Sequence, residues 1–161
     1  KNPMPPKQIL DLSMLDDTNI ISDREEIYGK YLPHRFEFER LDAIIYNNTE
    51  EHTIAGYRDL PDDEFWIRGH IPGRPIFPGV MMIETAAQLV SYAVMTSENK
   101  EGFLGFAAVD EVKFRGSVAP GQRIMMVGKM IDIRARRCVG YTQAYVEGKM
   151  VYEGKITGMW L

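Results

Sequence analysis

Two side chains in this sequence are suited to moving protons, and both stand in the stretch GHIPGRPIFPGVMMIETAAQ, residues 69–88. His70 lies in a segment where Pro72, Pro75 and Pro78 interleave with Gly73 and Gly79. Its imidazole titrates close to neutrality, so it can accept a proton at physiological pH. Glu84 stands among Val80, Met81, Ile83, Ala86 and Ala87, surroundings in which burial is expected to disfavour a charged carboxylate. A base near neutrality beside an acid that keeps its proton is the pairing that general acid–base catalysis needs. Each residue also has a plain structural reading on its own: an exposed loop histidine, and a glutamate on an apolar helix.

Other chemistries find no support. There is no G-x-S-x-G elbow, Gly-rich phosphate loop or dinucleotide fingerprint. His34, His52 and His70 are far apart, and no Cys–His or His–Glu spacing matches a metal site. Neither a metal nor an organic cofactor is expected. The single cysteine, Cys138, excludes an intramolecular disulfide.

The formal net charge of −4 argues against nucleic acid as the main partner. That charge is uneven: residues 1–80 carry 9 Lys and Arg against 15 Asp and Glu, whereas residues 81–161 carry 10 against 8. Lys113, Arg115, Arg123, Arg134, Arg136 and Arg137 form one basic patch only if the fold gathers their segments; otherwise they are a scattered, solvated set. A length of 161 residues with 45% hydrophobic content suits one domain with a real core. The longest apolar run, near residues 79–96, is interrupted by Glu84 and Gln88 and is too short to span a bilayer comfortably. The opening KNPMPPKQILDLSMLDD has no apolar signal-peptide core, so a cytoplasmic location is the default expectation.

A loop and a helix must position the two candidates. Prolines fix φ and lack an N–H, so residues 69–79 are expected as a stiff extended loop without ladder hydrogen bonds. GVMMIETAAQLVSYAVM reads as a helix that is apolar on nearly every face and therefore buried, with TSENK as its stop. Upstream, SDREEIYGKYL reads as a short helix capped by Ser22 or Asp23 and ended by Pro33. FEFERLDAIIY and HTIAGYRDL read as strands that form a hairpin through NNTEE. The rest of the chain holds strand-like runs: GFLGFAAVDEVKFRG, QRIMMVGKMIDIRA, CVGYTQAYVEG and KMVYEGKITGMWL. Pro120-Gly121 suits a type II turn, and Glu147-Gly148-Lys149 a tight reversal. One buried helix with about six antiparallel strands is an α+β domain, a curved sheet wrapped around a single central helix.

The stretch from His70 to Gln88 resembles the signature of the hot-dog-fold 3-hydroxyacyl-acyl-carrier-protein dehydratases. The match takes in His70, Pro72, Gly73, Pro75, Pro78, Gly79, Val80, Glu84 and Gln88. YLPHRFEFERLDAI and VDEVKFRGSVAPGQR resemble the family's flanking segments, so the likeness covers roughly residues 28 to 158. It divides the chain into an N-terminal arm that includes the start of the short helix, residues 1–27, and a hot-dog domain, residues 28–161. What it implies is reversible loss of water from a (3R)-3-hydroxyacyl thioester on acyl carrier protein, giving the trans-2-enoyl thioester, in fatty acid biosynthesis. By resemblance His70 is the base at C2, and Glu84 supplies the proton to the C3 hydroxyl, directly or through water, with no cofactor. The Gly79 N–H, with Val80 beside it, is expected to hold the thioester oxygen at the helix N-terminus. Gln88, one turn after Glu84, is expected either to orient that carboxyl or to sit as a polar residue at a subunit seam.

The resemblance further implies an obligate homodimer, with His70 of one subunit and Glu84 of the other in each site; the relatives nearest this pattern assemble three dimers into a hexamer. An acyl tunnel would run between subunits, with Phe77, Met81, Met82, Phe103, Phe106 and Ala107 as its candidate walls, each more readily read as plain core. Lys113, Arg115, Arg136 and Arg137 would guide the acidic carrier protein. The chain departs from the family pattern at Ile71, where phenylalanine is common, and at Glu37, Phe38 and Glu39, where a proline and leucines are usual. These changes bear on tunnel shape and chain length more than on the chemistry. Glutamate at position 84, in place of the aspartate of the decanoyl-specific dehydratase-isomerase branch, favours the branch without isomerase activity. A hot-dog thioesterase and a non-catalytic acyl-thioester-binding protein are the alternatives, and the intact loop with both His70 and Glu84 weighs against them.

Overall fold

Alternating apolar residues produce seven strands in the computed structural model, which describes residues 6–98 and 102–161. They are β1 (Ser22–Asp23), β2 (Ala43–Asn48), β3 (Thr53–Asp59), β4 (Leu104–Phe114), β5 (Arg123–Ile133), β6 (Arg137–Val146) and β7 (Lys149–Trp160). Every pairing is antiparallel, and the order across the sheet is β1-β2-β3-β5-β6-β7-β4. Two α-helical segments accompany them, α1 (Arg24–Glu26) and α2 (Gly79–Glu98). This is the α+β class expected, with one more strand than the sequence signals, because β1 is two residues long.

Helix α2 packs on one sheet face. Ala86, Leu89, Val90 and Val94 meet Ile44, Ile54, Met126, Ala144 and Ile156 in the main core. The approach is close enough to require a glycine beneath it: a Cβ on Gly140 would stand 2.8 Å from Val90 Cγ2. The opposite sheet face carries a second apolar cluster, closed by the N-terminal arm through Leu10. No helix among the described residues is long and apolar enough to cross a membrane.

Local chemistry accounts for most boundaries. The Asp23 carboxylate accepts the Glu26 N–H at 2.9 Å and caps α1. The chain then winds through a wider turn, Ile27–Tyr31, closed by Leu32 N–H to the Ile27 carbonyl at 2.9 Å, and Pro33 follows. In the β2–β3 hairpin, Asn48 Oδ1 accepts the Glu50 and Glu51 N–H groups. Glu147 and Gly148 both have positive φ, 51° and 78°, which gives the β6–β7 reversal the geometry of a hairpin turn. Gly121, with φ 86°, meets the type II turn expected after Pro120.

Three expectations need correction. The strand read over residues 36–46 begins only at Ala43, and Phe36–Phe38 is a 3-10 turn. Its alternation imitates a strand, but the polar residues find local partners: Glu39 Oε2 accepts the Phe36 N–H at 3.2 Å, and Arg35 donates to the carbonyls of Tyr28, Leu32 and His34. The segment read as extended from 69 to 79 is turned as far as Arg74, with Arg74 N–H bonded to the Ile71 carbonyl at 3.0 Å, and runs free of regular structure only from Pro75 to Pro78. Helix α2 continues through Ser97 and Glu98, into the TSENK expected to stop it. Asn99 and Lys100 of that stop, and the opening prolines Pro3 and Pro5, lie outside the described residues.

Candidate active site

The His70 loop is anchored from both ends. Before it, Glu64 is buried between two guanidinium groups, with Arg40 at 2.7 Å and Arg58 at 2.9 Å. Burial pushes the Glu64 carboxyl up, but the two arginines more than offset this and hold it below the usual carboxylate range. Trp66 packs edge-on against Phe77, centroids 5.4 Å apart, and the Arg40 guanidinium lies over the same Phe77 ring. After the loop, Phe77 N–H bonds the Val118 carbonyl at 2.7 Å. Held this way, the loop exposes His70.

The histidine itself is oriented. Its backbone N–H bonds the Trp66 carbonyl at 2.8 Å, and Nδ1 lies 2.8 Å from the Ile76 carbonyl. A carbonyl oxygen only accepts, so Nδ1 carries the hydrogen and Nε2 keeps its lone pair. That is the tautomer a general base requires.

Gly79 opens α2 beside this loop. Its N–H and that of Val80 belong to the first helical turn, where no intrahelical acceptor exists. A Cβ on Gly79 would meet the Phe114 ring at 2.9 Å, so glycine is needed here for packing as well as for access. His70, Phe77, Gly79, Val80, Phe114 and Arg115 line one groove on the surface.

Glu84 belongs to a different depression, lined with His34, Gln88, Phe103, Phe106 and Ile156 among others. One chain therefore does not bring the two candidate residues into one pocket. Gln88 is the hub of the second site and is almost wholly buried. Its Nε2 donates to Glu84 Oε1 at 2.9 Å and to the Phe38 carbonyl at 2.7 Å. Its Oε1 accepts from Tyr28 O–H at 2.6 Å and from Arg40 N–H at 3.2 Å. Tyr28 in turn accepts the Leu41 N–H at 2.8 Å. Burial pushes the Tyr28 phenol far above its ordinary value, which keeps it an O–H donor. With all four hydrogen-bonding positions used, the Gln88 amide cannot rotate, and Glu84 is held in turn.

His34, not singled out from the sequence, also reaches Glu84. Its Nε2 lies 3.4 Å from Glu84 Oε1, the oxygen that Gln88 already bonds. Among the described residues neither contact engages Oε2. The only sequence signal for His34 was its place in the segment YLPHRFEFERLDAI, which does not indicate a partner.

The remaining candidates scatter. Phe77 and Met82 are core residues, about 1% and 2% exposed, although their edges touch the His70 groove. Met81 is half-buried against the same core. Phe103 and Phe106 line the Glu84 depression, whereas Ala107 is exposed on β4 at an irregularity in its pairing with β7. Of the basic residues, Arg115 borders the His70 groove and bonds Glu153 at 2.7 Å, with Lys113 nearby on β4. Arg136 and Arg137 are elsewhere: Lys113 pairs with Glu153 of β7 and Arg137 with Met159, a separation of about 20 Å along that strand. Arg68 and Arg74, which the sequence reading passed over, are exposed in the loop that carries His70. Among the described residues no three His, Cys, Asp or Glu side chains are grouped to hold a metal ion.

Comparison with known proteins gives the site its context. The dehydratase heterocomplex ApeI:P from Xenorhabdus doucetiae shares the fold at a TM-score of 0.69 with 14% identity, covering 83% of this chain and 90% of that one. Zebra fish thioesterase superfamily member 2 does so at 0.65 and 10% identity, covering 86% and 93%. In sequence, the 3-hydroxyacyl-(acyl-carrier-protein) dehydratase FabZ of Clostridium kluyveri is 31% identical over 129 residues, 80% of this chain and 89% of that protein. The enzyme of the same name from Clostridium botulinum is 34% identical over 134 residues, 82% and 94%. The sequence model of the FabA-like domain matches residues 32–155, which include His34, His70, Gly79, Glu84 and Gln88. This chain, a hot-dog domain with an oriented loop histidine and a held helix carboxyl, belongs to the FabA-like dehydratase family.

Proposed function

We propose that this protein is a 3-hydroxyacyl-acyl-carrier-protein dehydratase of fatty acid biosynthesis. It removes water reversibly from the (3R)-3-hydroxyacyl thioester and forms the trans-2-enoyl thioester. The observation that carries this reading is the orientation of His70, whose Nδ1 bond to the Ile76 carbonyl leaves the lone pair on Nε2. That nitrogen takes a proton from C2. Charge then develops on the thioester oxygen, and the free N–H groups of Gly79 and Val80 at the α2 N-terminus are suited to stabilise it. Glu84, held through Oε1, gives a proton from Oε2 to the C3 hydroxyl, which leaves as water.

Because His70 and Glu84 occupy separate depressions of one chain, the complete site joins His70 of one subunit to Glu84 of another. Strand β4 supports a dimer: it is eleven residues long, it is an edge of the sheet, and much of it is exposed. A bare edge of that length is normally covered or paired. Val80, Phe106 and Phe114 are apolar and 68%, 49% and 52% exposed, and the same association would bury them. The acyl carrier protein approaches over the His70 groove, where Lys113, Arg115, Arg68 and Arg74 offer positive charge. A cytoplasmic location belongs to the same reading.

The test is hydration of an enoyl thioester by the purified protein, followed as loss of the conjugated absorbance. His70→Ala and Glu84→Gln are each expected to lower the rate by roughly 10²- to 10⁴-fold, the usual weight of a general acid or base. Release of free thiol by the wild-type chain would instead identify a thioesterase.

A further inference from the structure

His34 has no task in the dehydration, yet it is held firmly at the Glu84 depression. The Arg35 guanidinium donates to the His34 carbonyl at 2.7 Å and to those of Tyr28 and Leu32 at 2.7 and 3.2 Å, which fixes the backbone on both sides of Pro33. The imidazole meets the Tyr28 ring edge-on, with centroids 6.3 Å apart. Its Nε2 lies 3.4 Å from Glu84 Oε1, a few tenths of an ångström longer than a good hydrogen bond.

The two ring nitrogens have different surroundings. Nδ1 is buried with no hydrogen-bond partner among the described residues. Orphaned N–H groups are rarer inside proteins than under-used acceptors, so Nδ1 is the bare nitrogen and Nε2 carries the hydrogen. Burial holds the ring's pKa below its ordinary value, with Glu84 opposing and Arg35 assisting, so the ring is neutral near pH 7. This is the opposite tautomer to that of His70, whose hydrogen is on Nδ1.

Glu84 Oε1 therefore faces two N–H donors, Gln88 Nε2 at 2.9 Å and His34 Nε2 at 3.4 Å. An oxygen so placed is the carbonyl oxygen of a carboxyl group, and the acidic hydrogen is left to Oε2. When that hydrogen leaves, negative charge spreads over both oxygens, and donors already aimed at Oε1 strengthen with it. Interactions that grow along the reaction act on the step rather than on substrate binding.

We propose that His34 is a positioning residue for Glu84: its Nε2–H, with Gln88, confines the transferable proton to Oε2 and stabilises the carboxylate left behind. As the Oε2–H and C3–O bonds break, the proton joins the departing hydroxyl as water and the charge stays on Glu84 between its two donors. The effect on rate rests on the dehydratase reading; the pairing of the two side chains does not. Both belong to one chain, so the clamp is complete before subunits associate.

Nitrogen-15 NMR of the histidine rings near pH 8, where imidazoles are neutral, reads the pairing. His34, assigned as the signal that His34→Phe removes, is expected with its hydrogen on Nε2, and that resonance should move in Glu84→Gln. Enoyl hydration reads the consequence. His34→Phe keeps a ring against Tyr28 but offers no donor, so kcat should fall roughly ten- to a hundredfold, the weight of a hydrogen bond to a charged group, with KM within about twofold. His34→Gln, which presents an N–H at similar reach, should recover most of the rate. In a Glu84→Gln background His34→Phe should cost less than about twofold, because the group it serves is gone. Should His34→Phe unfold below the assay temperature, His34→Leu takes its place in the same cycle. A His34 protonated on Nδ1 overturns the proposal. So does an unchanged kcat in His34→Phe, or an equal loss with and without Glu84, the mark of a purely structural role. A wild type that adds no water, while the Nε2 resonance still answers to Glu84→Gln, overturns the dehydratase reading instead and supports the pairing.

Discussion

His34 is where pH acts on the Glu84 side of the site. Burial holds its imidazole below the ordinary value of 6.5, Glu84 opposes that, and Arg35 adds to it. Its Nδ1 is buried without a partner, an arrangement a neutral ring tolerates better than a charged one, which would bury an unpaired N–H. The folded-state pKa is therefore the lower one, and between the two values the unfolded chain binds more protons. Stability from this residue is full above the unfolded value and is lost as pH falls toward the folded one. The melting temperature of the wild type should fall on acidification from about pH 7 to about pH 5, and His34→Gln should shallow that fall. Equal slopes in the two proteins would mean that His34 does not couple protonation to folding. Gln88 makes a related point about legibility. Its spacing to Glu84 was readable, since i and i+4 share a helix face, and the structure has it bond Glu84; its partners Tyr28, Phe38 and Arg40 come from a segment about fifty residues earlier that no helical periodicity reports.

At the scale of elements, the junction between the proline loop and α2 is the tightest point of the site. Gly79 leaves just enough room for Phe114 of β4. Gly79→Ala is expected to cost roughly 1–3 kcal/mol of stability, as overpacking usually does, and to reduce enoyl hydration by displacing the ring from the groove. In a Phe114→Ala background the same substitution should cost less than about 0.5 kcal/mol, because the obstacle is gone. Urea unfolding of the four proteins of that cycle checks it; an unchanged cost would place the strain in the backbone. The loop and helix were legible because proline restriction and all-round apolarity are local properties. The segment from Phe36 to Leu41 was misread for a local reason as well: alternation alone does not distinguish a strand from a turn whose polar side chains bond back to their own backbone.

For the whole molecule, the decisive prediction concerns which chain supplies which residue. His70→Ala and Glu84→Gln homodimers are each expected to be inactive. Mixed, and allowed to exchange subunits, they should recover about a quarter of wild-type activity, since half of the dimers become mixed and each mixed dimer has one intact site. An absence of recovery, with exchange verified by a mass tag, would mean that both residues act from one chain. The sequence by itself determined the class of fold, the long helix and the four C-terminal strands, because hydrophobic period and turn chemistry act over a few neighbouring residues, and it singled out His70 and Glu84 as candidates through the motif that holds them. Tertiary structure alone decided that His34 meets Glu84 and that Tyr28, Phe38 and Arg40 hold Gln88, that Arg115 and Arg137 lie far apart, that the two candidate catalytic groups open into separate depressions, and that the N-terminal arm packs on the outer sheet face. Those contacts depend on how a twisted seven-stranded sheet returns distant segments to one another, and no short window of sequence carries that information.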